Sequence, residues 1–242
     1  MSEVTLAGVI SFVVPAYNEE RLIGRTLDAI HTAARELARP YEVIVVDDTS
    51  TDATASVARE HGARVVGVRF RQIARVRNAG ASAATGDVLI FVDADTLVPP
   101  ATLRATAAAL DRGAIGGGAS VYIDGRLPLW VRLFMIPFRF AFRIGRLAAG
   151  CYVFSRRSQF EAVGGFDEQL FAAEELALSR ALGRRGRFVV LREPVITSGR
   201  KVRTHSLREV AHLFLRVLRH GTRPLKSRDD LTLWYGERRD DL

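Results

Sequence analysis

Short apolar runs alternate with amphipathic stretches of helical period along the first half of the chain. Val9–Val14 (VISFVV) is a β-branched run suited to a strand buried on both faces. Asn18 then reads as a helix N-cap, with Glu19 and Glu20 in a first turn where the helix dipole favours acidic groups. Leu22, Ile23, Leu27, Ile30, Ala34 and Leu37 follow at helical spacing until Pro40. Glu42–Val46 predicts a second strand, Ser50 to His61 a helix closed by Gly62, and Arg64–Val68 a third strand. Ala74 to Thr85 is a helical stretch stopped by Gly86, Val88–Val92 an all-apolar strand, and Pro100 to Arg112 a further helix. This β-α-β-α alternation predicts an α/β fold with a mostly parallel sheet and helices on both faces.

After Gly116–Gly118, read as a flexible turn, the pattern changes. Ser120–Ile123, Tyr152–Ser155 and Phe188–Leu191 suggest strands. Pro128–Ala148 suggests a basic apolar helix, and Arg157–Val163 and Glu174–Gly183 two more. Ser206 and Glu209 form an S-x-x-E capping box ahead of Leu207, Val210, Phe214 and Val217, which share one helical face. The expected organisation is a single domain over residues 1–222, with a binding half (1–115), a second half (116–205) and a C-terminal helix (206–222). A polar tail follows over residues 223–242.

Composition narrows the classes. Of 242 residues 48% are apolar and 26% charged, which is globular rather than disordered. Thirty-five basic against 27 acidic residues leave +8. All the basic residues but Lys201 and Lys226 are arginine, whose planar fork suits phosphate. Nucleic acid, an anionic membrane and small phosphorylated molecules are therefore the partner classes to weigh. The lone Cys151 excludes a disulfide framework and a cysteine-based zinc site, and reads as a small buried residue. No signal peptide is visible, and Leu127–Leu147 is interrupted by four arginines, so it does not read as a bilayer span. The expectation is a cytoplasmic protein. No feature specifies an oligomeric state.

Ligands of open parallel sheets sit beyond the carboxyl ends of the strands. There the chain carries PAYNEE (Pro15–Glu20), DDTSTD (Asp47–Asp52) and DAD (Asp93–Asp95). No G-x-G-x-x-G follows the first strand and no G-x-x-x-x-G-K-[ST] exists, so phosphate must be neutralised otherwise. An Asp-x-Asp pair holding Mg²⁺ or Mn²⁺ meets that need. In extended geometry Asp93 and Asp95 would project to one side and approach one cation.

With these motifs in order, the chain resembles a family 2 glycosyltransferase of the GT-A fold. PAYNEE, VVDDTSTD, RNAGASAATGDVLIFVDADT and GGFDEQLFAAEEL carry the resemblance over Val9 to Leu182, about three quarters of the chain. It implies an inverting, metal-dependent transfer of a sugar from a nucleoside-diphosphate donor, UDP- or GDP-linked. By resemblance, Pro15, Tyr17 and Glu19 would line the nucleotide pocket, with Tyr17 near the base. One of Asp47 and Asp48 would hydrogen-bond the base, and Arg77 would lie beside the base or phosphates. Asp95 would be the direct metal ligand and Asp93 would sit nearer the ribose. Inversion needs a carboxylate base opposite the leaving diphosphate. The family commonly has Glu-Asp after GGFDE with the Asp as base. Here Glu175 stands at that position, and Glu174 remains the alternative. Arg200 and Arg203 supply positive charge for the diphosphate after the last strand, and His205 is placed in sequence for a third metal ligand. The Q-x-x-R-W element of processive synthases is absent, which favours single-sugar transfer.

The acceptor, lipid-linked or a small molecule, is not named by any motif. Arg132, Arg139, Arg143 and Arg146 would form one stripe on a helix at about 100° per residue. Trp130, Leu133, Phe134, Phe138, Phe140, Phe142 and Ile144 fill much of the remainder. Two readings stand level: a peripheral membrane contact through residues 128–148, or a helix packed on the domain with its arginines in water. Two other classes were weighed, an inactive GT-A scaffold that binds nucleotide and a basic nucleic-acid module. No RNP-type strand is present and the Asp-rich strand ends would repel phosphate, so nucleic acid is not an expected partner.

Overall fold

The computed structural model describes residues 8–125, 137 and 143–200. The elements run β1 (Ile10–Ala16), α1 (Ile23–Leu37), β2 (Tyr41–Asp48), α2 (Thr54–Glu60), β3 (Arg64–Val68), α3 (Ile73–Ala83) and β4 (Val88–Val92). They continue as β5 (Thr96–Leu97), α4 (Pro100–Asp111), β6 (Gly116–Ile123), β7 (Tyr152–Arg156), α5 (Arg157–Ala162), α6 (Glu174–Arg185) and β8 (Phe188–Thr197). All eight strands form one sheet in the order β3-β2-β1-β4-β7-β6-β8-β5. The first four are mutually parallel, β7 runs antiparallel between β4 and β6, and β8 is parallel to β6. The chain works outward from β1 to β3 and then returns to place β4 on the other side of β1. The strand order therefore reverses at β1, where open sheets carry their ligands.

Strand periodicity explains the two-sided core. Phe12 and Val14, Val43 and Val45, and Val88 and Ile90 pack with Ile23, Leu27 and Ile30 of α1 and with Leu103 and Leu110 of α4. The intervening Val13, Ile44, Val46, Leu89 and Phe91 face the opposite layer, with Ala74 and Ala81 of α3 and Leu178 and Leu182 of α6. Phe91, Phe160 and Phe166 meet there at centroid distances of 4.9–5.6 Å. They pin the segment leading into α6; truncating such a ring to Ala costs about 3–5 kcal/mol.

Several local expectations are corrected. Asn18 does not cap α1, which begins five residues later at Ile23 after an uncapped Leu22 and has no acidic residue in its first turn. Asn18 instead adopts φ +50° and bonds the loop after β2. Gly116–Gly118 is no turn but the start of β6. A Cβ at Gly117 would stand 2.3 Å from the Val189 carbonyl oxygen and 2.5 Å from the Phe154 ring, so strand packing demands glycine there. The two-residue β5 escaped the pattern, and β8 runs on past Leu191 to Thr197 through Pro194. The helix expected to reach Ala148 ends sooner. Residues 143 and 144 are helical, but Arg146 turns with φ +50°, so it leaves the arginine stripe. Arg132, Arg139, the Ser206–Glu209 capping box with its helix, and the 223–242 tail lie outside the described residues.

Candidate active site

Two loops at the switch point are tied together by their own polar side chains. The Asn18 amide N–H donates to Ser50 Oγ at 2.9 Å, and its Oδ1 accepts from Thr51 N–H at 2.8 Å. The Glu19 N–H donates to Thr54 Oγ1 at 2.7 Å, and the Glu20 carboxylate accepts from Ala53 N–H at 2.9 Å. Pro15 pairs with Val46 in the β1–β2 ladder, so Tyr17 leaves the sheet at a fixed point. The face of its ring carries the Arg71 guanidinium at 3.7 Å.

The two aspartates that end β2 divide their work. Asp48 is buried, and its two oxygens accept from Phe70 N–H at 2.8 Å and Arg71 N–H at 2.6 Å, which holds the loop after β3. Asp47 carries a buried Oδ1 with no hydrogen-bond partner among the described residues. Buried polar atoms are nearly always satisfied, so this acceptor is open to a donor that the described residues do not supply.

The segment carrying Asp93 and Asp95 is not extended: Thr96 N–H bonds back to Asp93 O at 3.0 Å in a turn, and the two carboxylates take different partners. Asp93 meets Arg77 at 2.9 Å. Asp95 lies 3.8 Å from Arg200, which also binds Glu19 at 2.8 and 3.1 Å. Glu19, Asp95 and Arg200, far apart in sequence, are thereby brought together beside a cleft of about 260 Å³ that Arg21, Arg25 and Asp124 also line. Among the described residues no cluster of three or more His, Cys, Asp and Glu could hold a metal. The donor set still fits Mg²⁺ or Mn²⁺ of the kind held by one or two carboxylates and completed by substrate phosphates and water. Asp95 and Asp124 are the described carboxylates that line the cleft. Arg203 and His205 lie outside the described residues.

The other side of the site is built on α3. A Cβ at Gly80 would sit 2.3 Å from Val13 and 2.8 Å from Val46, so glycine lets this helix lie close on the sheet. Arg77, one turn earlier, is buried at 2% exposure. Its Nη1 donates to Glu174 at 2.5 Å and its Nη2 to Asp93 at 2.9 Å and Gly150 O at 2.8 Å. Burial opposes its charge, and Asp93 and Glu174 more than restore it. These partners all come from the chain itself. From the same helix Asn78 brackets Phe166, donating to its carbonyl at 2.9 Å and accepting from its N–H at 2.9 Å. Gln72 donates to Leu170 O at 3.2 Å. Neither residue stood out in the sequence, although Asn78 lies inside the RNAG motif.

Ala173, at φ +61°, turns the chain into α6 and puts Glu174 and Glu175 in its first turn. Glu174 is buried and paired with Arg77. Glu175 is half-buried, and a Cβ on Gly150 would come within 3.4 Å of its carboxyl carbon. Desolvation and the adjacent Glu174 charge push the Glu175 carboxyl up to about 8, against the pull of Arg77. One carboxylate is thus tied to Arg77, and its neighbour has a raised proton affinity. Burial also raises the Cys151 thiol, which is consistent with an inert structural residue.

Comparison with known proteins places the chain in a family. A stretch of 120 residues is 32% identical to an undecaprenyl-phosphate 4-deoxy-4-formamido-L-arabinose transferase of Enterobacter sp. (strain 638), covering 47% of this chain and 37% of that protein. The match thus spans just over a third of the relative's length. The fold superposes on Staphylococcus aureus TarS 1-349 in complex with UDP, with TM-score 0.62 and 24% identity over 78% of this chain and 60% of that one. It likewise superposes on the mannosyltransferase PcManGT from Pyrobaculum calidifontis in complex with GDP-Man and Mn²⁺, with TM-score 0.60 and 22% identity over 94% and 68% of the two chains. The sheet is therefore that of GT-A glycosyltransferases. The family model described as glycosyl transferase family 2 matches residues 11–163, and the chain belongs to that family.

Proposed function

We propose that the protein transfers a single sugar, with inversion, from a UDP- or GDP-linked donor to an acceptor hydroxyl or phosphate. The observation that carries this reading is the unequal pair at the start of α6, where Glu174 is sealed by Arg77 and Glu175 carries a raised proton affinity beside the strand-end carboxylates. A general base works best when its pKa lies near the working pH.

With a hydroxyl acceptor Glu175 takes the acceptor proton onto a carboxylate oxygen as the acceptor oxygen bonds to the anomeric carbon; an ionised phosphate acceptor brings no proton and attacks directly. The bond from that carbon to the diphosphate oxygen breaks, and its electron pair leaves with the nucleoside diphosphate. Asp47 has the free acceptor to take a hydrogen bond from the nucleobase, and Tyr17 and Pro15 border the same edge. Glu19 orients Arg200 towards Asp95, where guanidinium charge meets the leaving diphosphate, and Arg203 follows three residues on. Asp95, with His205 by resemblance, would hold Mg²⁺ or Mn²⁺, which neutralises charge on the diphosphate when bound. Support for that cation comes from the Mn²⁺ in the PcManGT complex, and support for the donor class from UDP and GDP-Man in the two superposed structures.

A polyprenyl phosphate is the acceptor class this reading favours. Its support is the undecaprenyl-phosphate substrate in the name of the matched transferase together with the arginine-rich segment 128–148. Among the described residues no helix is long and apolar enough to cross a membrane.

The test is a thermal-shift screen of UDP-glucose, UDP-GlcNAc and GDP-mannose with Mg²⁺ or Mn²⁺, followed by turnover of the donor that binds. A ligand at 100 times its dissociation constant stabilises by about 2.7 kcal/mol. Glu175→Gln should lower turnover by about 10²–10⁴-fold with donor affinity nearly intact. Asp95→Asn should abolish the metal-dependent part of binding. Tight nucleotide binding with no turnover on any acceptor would instead identify an inactive scaffold.

A further inference from the structure

Arg77 draws its partners from three separate segments: Asp93 after β4, Gly150 before β7 and Glu174 at the head of α6. The Phe166 ring lies 5.3 Å from the centre of its guanidinium, and only 3% of the side chain is exposed. Nη1 and Nη2 are thus taken up by partners from the chain, while the buried Nε has none among the described residues. Burying a charge is costly unless every bond is made, and a buried ion pair contributes registry more reliably than stability. The planar fork suits that task, since Nη1 and Nη2 hold their acceptors at a fixed mutual angle.

We propose that Arg77 is a positioning residue for the transfer step: by joining Asp93 of the donor side to Glu174 of α6 it fixes where the neighbouring Glu175 carboxyl stands, and it does not touch the donor. The inference deepens the transferase reading and rests on it. An added Cβ on Gly150 would lie 3.5 Å from both Arg77 Nη2 and Glu175 Oε1, so the guanidinium and the base flank the same backbone. Lysine has one nitrogen and no fork, so it can hold either carboxylate but not both in one plane.

The experiment compares Arg77→Lys and Arg77→Gln with the unmodified chain. UDP and GDP affinity and stoichiometry are measured by calorimetry with Mn²⁺, and kcat and KM with the donor selected by the thermal-shift screen. Stoichiometry counts the folded sites, so turnover is expressed per nucleotide-binding site and a partly unfolded preparation still reports. Arg77→Lys should bind nucleotide within about 3-fold of the parent, with kcat down about 10-fold. Arg77→Gln should lose about 10²-fold in kcat with KM for donor little changed. A rise in nucleotide Kd that matches the loss in turnover would make Arg77 a donor contact and overturn the inference. So would unchanged turnover per site, which would leave it a purely structural residue. Nucleotide binding with no turnover by the unmodified chain removes the transferase reading itself.

Discussion

Glu175 and Glu174 are adjacent, identical in chemistry and set at the same helix terminus, yet their surroundings separate them. Glu174 is tied to Arg77, and its charge adds to desolvation in lifting Glu175 to about 8. A base acts as its carboxylate, so activity is present above that value and lost as pH falls through it. We expect log kcat/KM to rise with unit slope towards a plateau above about 8, because this ratio reports the free enzyme. Glu174→Gln, which removes the like charge, should move the midpoint downward. A profile flat from pH 5 to 9 would take the base role from Glu175. In the sequence both glutamates were legible as candidates. The choice between them was not, because it depends on an arginine 97 positions away.

At the scale of elements, strands and helices followed from periodicity, while their ends followed from contacts. β3 and β4 begin and end where the apolar run predicts, because both are bounded by local signals. β6 was misread at its glycines, since the need for glycine arises from Val189 and Phe154 across the sheet. At the opposite end of the sheet from the site, Glu42 of β2 gathers Ser11 of β1 at 2.7 Å, the Thr85 hydroxyl after α3 at 2.7 Å and Arg64 of β3 at 3.3 Å. Burial would raise its carboxyl, but the Ser11 and Thr85 hydrogen bonds override that and hold it at about 2, below the ordinary 4.5. A depressed carboxylate stabilises above its unfolded value, and that stability is lost as pH falls through the folded one. Glu42→Gln should therefore cost about 2–3 kcal/mol at pH 7. Its difference from the parent in urea unfolding should shrink below about pH 4.5 and vanish near pH 2. An equal difference at pH 7 and pH 3 would show that shape, not charge, is what Glu42 contributes.

For the whole molecule the open matter is the surface that meets the acceptor. Arg143, Ile144 and Arg146 are exposed among the described residues of the 128–148 segment, with Ile144 at 67%. An arginine near an anionic surface contributes about 1 kcal/mol, screened by salt. Under the membrane reading the protein should sediment with phosphatidylglycerol vesicles at low salt and be released at high salt. Arg143→Gln should weaken that association about 5-fold without altering nucleotide affinity. Absence of vesicle binding would direct the acceptor search to small soluble molecules and leave the donor site as described.

What the sequence determined by itself was local: the alternation that makes a mostly parallel α/β sheet, the acidic motifs at its carboxyl ends, and the four motifs in order that resemble family 2 glycosyltransferases. These survive because strand and helix periods, and the loop chemistry between them, are written within a few residues. Tertiary structure decided which partners the members of each motif take. Asp48 and Arg77 hold a loop and a helix, whereas Asp47 keeps a buried oxygen without a partner among the described residues and Asp95 lines the cleft. The turn at Asp93, which the extended pattern did not foresee, gives Asp93 to Arg77 and Asp95 to Arg200. The physical reason is common to all of these: hydrogen-bond and charge satisfaction inside a folded chain is a contest among groups distant in sequence, and only their assembled geometry awards the partners.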